Sequence, residues 1–419
     1  MKKLPLLPFI LVSLLFLLWG LANNMNDTLL AAFRRIMSMS DFQSSLVQFA
    51  FYGAYFCFAL PAALFIRRFS YKAGIQLGLI MYALGTMLFL PAGNAASYGF
   101  FLFAIYIMAS GCSILETTAN PYILAMGPRE SATRRLNIAQ TFNPCGAIIG
   151  ILISRHFILS ELKDADAAAR SAMTSADLQA MQAGELHAIS STYLLIGCIL
   201  IAVLALITFT KMPALKDNSQ SVSIGATFGR LFKNKAYRNG VIAMFFYNGV
   251  QTCVWSFTIR VVMAETGKLE SEASMIFLYS ILAFTAFRFI FTWLMKYIRP
   301  VKLLMAAAIF AVLAVSTVMS IHGTVAIAAM VCISAAMSLM FPTIYGIALE
   351  NVDTDSAKIA ASGLIMAIVG GAIITPLQAV VSDTVGISAS FAIPLVCFLV
   401  IFIYSLSIIN GEKRQLAAA

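Results

Sequence analysis

The chain alternates between long apolar runs and short polar breaks. Twelve runs are long enough to cross a hydrocarbon layer as helices, which takes roughly 20 residues each. The first six cover about 5–34, 44–66, 72–92, 98–126, 136–159 and 189–211. The second six cover about 238–263, 272–295, 301–321, 325–349, 357–382 and 388–410. The runs are continuous rather than alternating, which argues against a membrane β-barrel. The first run follows Lys2-Lys3 as in a signal peptide, but no small-residue cleavage pattern comes after it, so it is read as an uncleaved first span. The predicted fold class is an all-α polytopic membrane protein.

Two polar stretches interrupt the series. Residues 160–188 read as a small helical or flexible surface loop. Residues 212–237, rich in Ser, Asn, Lys and Arg, read as a linker. The expected layout is a bundle over 1–211, a linker over 212–237, a second bundle over 238–411 and a tail over 412–419. The halves share weak internal likeness. Cys145-Gly146-Ala147-Ile148-Ile149 matches Gly370-Gly371-Ala372-Ile373-Ile374, Pro121 corresponds in order to Pro342, and Trp19-Gly20 to Asn248-Gly249. Duplicated six-helix halves are the layout of many secondary transporters, with the substrate near mid-bilayer between repeats.

Composition agrees: 61% of residues are apolar and 11% charged, against about 25% charged in soluble domains. This excludes a soluble or a disordered chain. The net charge of +10 could suggest nucleic acid, but its placement gives another reason. Twenty of the 28 Lys and Arg fall on the side holding both termini and six on the other. Basic loops stay in the cytoplasm, so both termini are expected there and no nucleic-acid partner is needed. The seven cysteines form no C-x-x-C pair and are expected to be buried thiols rather than disulfides or metal ligands. The three histidines form no metal pattern. No cofactor is expected.

Only two acids fall inside the apolar runs, Asp27 in the first and Glu116 in the fourth. A carboxylate at bilayer depth costs about 2.5–3.5 kcal/mol on insertion scales. It therefore faces a bundle interior or a wet cavity. Removal from water favours the protonated form, which suits a group that takes up and releases a proton. The structural alternative is that Asp27 caps a helix end and Glu116 pairs with an interior Arg or Asn.

Amides cluster near these acids: Asn23, Asn24 and Asn26 in the first span, Asn120 in the fourth, and Asn137, Gln140 and Asn143 in the fifth. The pairs Asn24/Asp27, Glu116/Asn120 and Gln140/Asn143 each share a helix face. Amides and carboxylates can bond sugar hydroxyls as donor or acceptor. The equal alternative is polar glue between helices. The second half has no matching acid and offers Asn248, Gln251, Trp255, Tyr279, Phe341 and Tyr345. Trp255 could stack on a sugar's C–H face, or simply pack. Arg260 is read as snorkelling or pairing with a loop acid, and Arg288 as a gate or packing residue.

Several motifs together resemble the L-fucose/proton symporter family of the major facilitator superfamily, which includes bacterial glucose/galactose transporters. They are Ala22-Asn23-Asn24-Met25-Asn26-Asp27, Ser70-Tyr71-Lys72-Ala73-Gly74, Leu115-Glu116-Thr117-Thr118-Ala119-Asn120-Pro121, Leu136-Asn137-Ile138-Ala139-Gln140-Thr141-Phe142-Asn143 and Gln251-Thr252-Cys253-Val254-Trp255-Ser256. The resemblance spans nearly the whole chain. It implies twelve helices in two bundles, alternating access, and import of a hexose or deoxyhexose with a proton. It makes Asp27 the proton-relay acid, Glu116 the sugar-linked coupling acid, and Asn24, Gln140 and Asn143 part of the sugar site. Asn120, Asn248, Gln251 and Trp255 join that site as further candidates. The superfamily's Asp-Arg pair after the second helix is absent; Arg67-Arg68-Phe69-Ser70 stands there.

The expected setting is a bacterial inner membrane. The expected partners are a small sugar and the lipid bilayer, with no obligatory protein partner and a monomeric state. Competing readings are sodium coupling, an exporter of sugars or drugs, an intramembrane hydrolase using Asp27 and Glu116, and a sugar sensor. The hydrolase lacks a nucleophile motif, a metal motif and an extramembrane domain, so no enzyme activity is expected.

Overall fold

The computed structural model describes residues 6–37, 41–162, 170, 173–213, 224–267, 270–350, 352–353 and 356–418. Within those residues some side chains, that of Asp27 among them, lie outside the description. All regular elements among the described residues are helical. The α-helices are α1 (Leu6–Ile36), α2 (Asp41–Arg68), α3 (Tyr71–Met87), α4 (Phe89–Asn94), α5 (Tyr98–Ala125), α6 (Ala132–Gln140), α7 (Phe142–Ile153), α8 (Ser175–Phe209) and α9 (Ile224–Lys233). They continue as α10 (Lys235–Thr266), α11 (Glu270–Leu294), α12 (Pro300–Ser320), α13 (Thr324–Met337), α14 (Met340–Glu350), α15 (Ala357–Met366), α16 (Gly370–Val385), α17 (Ile387–Ser390) and α18 (Ala392–Ala418).

Eleven helical stretches among the described residues are long and apolar enough to cross a membrane. The seventh expected span, α10, has 32 residues but carries Asn248, Gln251, Thr252 and Ser256 along its middle. Leu195, Phe289, Leu313, Val380 and Ile403 are exposed on the helix bundles, as lipid-facing side chains are. Cys112, Cys253 and Cys397 are buried as expected, but Cys57 and Cys198 are exposed. A thiol is apolar enough to sit on such a surface.

Several expected spans are broken by a single tightened turn. Breaks at Leu88, Thr141, Leu339 and Phe391 each lie three residues before a proline, at 91, 144, 342 and 394. Proline has no N–H for the carbonyl four residues back, and the helix yields there. Pro61, Pro121 and Pro376 are carried inside unbroken helices.

The contacts sort into two compact units. One gathers Pro5–Tyr122 with Cys145–Leu215; the other gathers Ile123–Pro144 with Lys216–Ala419. In the first unit a Cβ on Gly146 would run into the Leu17 backbone carbonyl, and one on Gly150 would lie 2.9 Å from the Leu21 carbonyl. In the second unit a Cβ on Gly370 would collide with the Phe245 carbonyl. Each of the two similar segments thus sets a glycine against the backbone of a neighbouring helix, one position apart in the match, since Gly146 aligns with Gly371 and Gly370 with Cys145. Gly146→Val and Gly370→Val are each expected to destabilise the detergent-solubilised protein by about 1–3 kcal/mol, read as a lower melting midpoint. Gly99→Ala, which meets nothing within 4 Å, should cause no loss.

Of the segment expected as a small helical or flexible surface loop over 160–188, the part from Ser175 is helical. The α8 helix starts there under a Thr174 cap that accepts from the Asp177 N–H. Its first turns are anchored by a bidentate ion pair, Arg170 to Glu185 at 2.7 and 2.9 Å, both nearly fully buried. Gln182 donates to the Ile36 carbonyl at the end of α1 at 2.7 Å. The expected linker over 212–237 contains α9 and the start of α10.

Candidate functional site

In the first unit α5 carries Glu116, and α3 sets how α5 is turned. Gly78 meets Leu115, Gly74 meets Thr118, and Gly85 and Tyr82 meet Met108 and Gly111. Residues 108, 111, 115 and 118 therefore form the face toward α3. A helix turns about 100° per residue, so Cys112, Glu116 and Asn120 lie on an adjacent face. Glu116 is 2% exposed. Neither of its carboxyl oxygens has a hydrogen-bond partner among the described residues. Asn120 Nδ2 donates to the Glu116 main-chain carbonyl, at 3.1 Å. Tyr55 and Cys112 stand within electrostatic reach. An ionised carboxylate so enclosed would carry a penalty of several kcal/mol. No Arg pairs with Glu116 among the described residues, and Asn120 is the amide beside its carboxyl.

Asn24 lies in α1, half-buried, and donates to the Gly20 carbonyl at 3.1 Å. Asp27 lies in α1 by its backbone; its side chain falls outside the described residues.

In the second unit α10 presents Asn248, Gln251 and Trp255 at intervals of three and four, hence on one face. Asn248 Nδ2 donates to the Met244 carbonyl at 2.8 Å. The Gln251 amide is half-buried and makes no hydrogen bond among the described residues. Trp255 packs edge-on to Phe284 at 5.2 Å and Phe277 at 6.5 Å, and its indole N–H is buried without a partner. Half-burial with an unsatisfied donor is suited to a polar ligand with an apolar face.

The helix α6 belongs to this second unit, and its polar residues at 133, 137 and 140 follow one stripe. Thr133 donates to Glu350 Oε1 at 2.9 Å. Asn137 Nδ2 reaches Thr343 Oγ1 at 3.3 Å. The Gln140 carbonyl accepts from Arg288 Nη1 at 3.1 Å. Gly346 lets α14 approach Thr133, whose Oγ1 would lie 2.6 Å from a Cβ there. Gln140 is buried and Asn143 half-buried at the α6–α7 break.

Residues 9–376 match the Major Facilitator Superfamily. The chain belongs to that superfamily. It is similar to the L-fucose-proton symporter of Haemophilus influenzae, at 41% identity over 96% of this chain and 97% of that one. It is similar to the glucose/galactose transporter of Brucella abortus, at 32% identity over 94% and 92%. A solved superfamily transporter, FucP in the outward conformation, superposes with a TM-score of 0.88 at 37% identity, covering 95% of this chain and 97% of that one. A proton:xylose symporter of 13% identity and TM-score 0.72 shares the fold. The expected superfamily fold of twelve spanning helices is the fold observed, α10 supplying the span that composition alone disguises.

Sequence reasoning did not find Thr133, Thr343 and Glu350 as partners, nor the use of Arg288. A signal for the last was present: Pro144 stands four residues after Gln140, which leaves that carbonyl without its helical donor.

Proposed function

We infer that this chain is a secondary active transporter that imports a monosaccharide, a hexose or deoxyhexose, together with protons by alternating access. The observation that carries the reading is Glu116: an acid buried in a spanning helix with both oxygens unpartnered, in a chain similar along nearly its whole length to named sugar-proton symporters. The same likeness favours protons over sodium and import over export.

In the proposed cycle Asp27 takes a proton from outside and Glu116 links protonation to sugar binding. Asn24, Asn120, Gln140 and Asn143 hold hydroxyls, and Asn248, Gln251 and Trp255 are further contacts to the sugar. The halves, 1–211 and 238–411, joined by the linker 212–237, rock to give alternating access. The chain acts as a monomer in the inner membrane of a bacterium, with both termini in the cytoplasm, where the basic excess lies.

Proteoliposomes test this. L-fucose, glucose, galactose and amino sugars are offered in counterflow at two pH values, with and without sodium, followed by gradient-driven uptake. An imposed pH gradient should drive accumulation of at least one neutral sugar, and a sodium gradient should not. Asp27→Asn should abolish uphill uptake and sugar-driven alkalinisation. Accumulation that follows sodium and ignores pH overturns the coupling; unchanged uphill uptake in Asp27→Asn overturns the relay.

A further inference from the structure

Arg288 is the group that the reading above leaves without a task. It lies in the spanning helix α11 and is 3% exposed. No acid pairs with it among the described residues. Its guanidinium lies over the Phe284 ring at 4.8 Å, and Phe284 in turn packs against Trp255. One of its five N–H donors is fixed: Nη1 donates to the Gln140 carbonyl, which Pro144 deprives of a helical partner. The Nε donor is buried and has no partner. A guanidinium is a rigid planar fork, so fixing one N–H on a main-chain oxygen and one face on an aromatic ring fixes where the others point. Leaving a charged donor unsatisfied in a buried place is expensive. The group is held as though for a third partner.

We propose that Arg288 is a sugar-binding and specificity-determining residue, donating hydrogen bonds to a hydroxyl of the transported monosaccharide while the Gln140 carbonyl holds it in register. The ligand chemistry follows from the neighbours. Gln140 and Asn143 offer amides at the helix break, and Trp255 offers an aromatic ring beside Phe284. Donors, amides and an aromatic face together suit a neutral polyol with one apolar side. The proposal rests on the transport reading above, of which it specifies one contact.

The simpler role, satisfying the Gln140 carbonyl alone, makes a different prediction. Pro144→Ala returns an N–H to α7 and gives that carbonyl a helical donor. Arg288→Gln and Arg288→Lys are therefore made alone, and Arg288→Gln also in the Pro144→Ala background. Melting midpoints are measured in detergent, and half-saturation in counterflow for the parent sugar and its monodeoxy analogues. Arg288→Gln should raise the half-saturation for the parent sugar about 10- to 100-fold, the loss expected for one charge-assisted hydrogen bond. For the analogue lacking the contacted hydroxyl, the penalty seen in the wild type should shrink toward unity in Arg288→Gln. Arg288→Lys, which keeps charge without the fork, should recover part of the affinity. Arg288→Gln with Pro144→Ala should regain stability but not affinity.

Recovery of both in the double variant, or unchanged ratios across all analogues in Arg288→Gln, overturns the proposal. If the wild type exchanges these sugars and the ratios do not move, only the Arg288 assignment fails. If the wild type exchanges none of them, the transport reading falls and takes this with it.

Discussion

Glu116→Gln is expected to abolish uphill sugar uptake driven by a pH gradient, lowering its initial rate about a hundredfold or more, the scale on which positioned proton-transfer groups act. The substitution keeps the shape of the side chain and removes only the ability to ionise. The carboxyl makes no hydrogen bond among the described residues, so little binding within the bundle is lost, and the variant should melt no lower than the wild type. Sugar exchange that remains should cease to depend on pH. Both readouts come from the same vesicles. Uphill uptake within about twofold of wild type, in a correctly inserted protein, would remove Glu116 from the coupling scheme.

Glu185→Gln is expected to destabilise the protein by about 3–5 kcal/mol, the loss found when one member of a buried ion pair is removed. The pair is bidentate and shielded on both sides, so solvent does little to screen it. Glu185→Gln removes the carboxylate that holds both ends of the Arg170 guanidinium. Replacing both partners, as Arg170→Met with Glu185→Leu, should restore much of the loss, because neither charge is then buried. Thermal unfolding in detergent reads both. Equal midpoints for wild type and Glu185→Gln would show the pair to be energetically idle.

Much of this molecule was legible because the membrane imposes a simple rule. A helix in lipid must be apolar over about 20 residues, and α12 and α13 begin within a residue of where their runs do. The rule is blind where helix continues into water. The first turns of α8, from Ser175 to Ala188, contain Asp177, Gln179, Gln182 and Glu185; they form helix readily but are not apolar, so the apolar run begins only at 189. The short α9 was hidden in the polar linker for the same reason. The breaks at Leu88, Thr141, Leu339 and Phe391 were readable from the prolines that follow, had the missing N–H been traced to its carbonyl.

At the site, Glu116 stood out because charge is scarce in an apolar run, and the shared face of Asn248, Gln251 and Trp255 follows from spacing. What spacing cannot supply is which residue far along the chain answers a given polar atom. Arg288 lies 148 residues from Gln140, and Glu350 lies 217 from Thr133. Such partners are chosen by tertiary packing; Pro144 marks the Gln140 carbonyl as needing a donor but does not say which residue supplies it.

The stripe on α6 has a thermal consequence. Thr133, Asn137 and the Gln140 carbonyl are joined to α11 and α14 through hydrogen bonds. Water can replace a hydrogen-bond partner almost one for one, whereas it cannot replace apolar contact. Parting such a seam exchanges protein bonds for hydration bonds, with little new apolar surface at those three points. Apolar exposure is what gives a conformational step a large heat-capacity change. These three contacts therefore contribute little curvature to the temperature dependence of any step that parts them, and the glycine-lined helix pairs, packed without water between them, would contribute more.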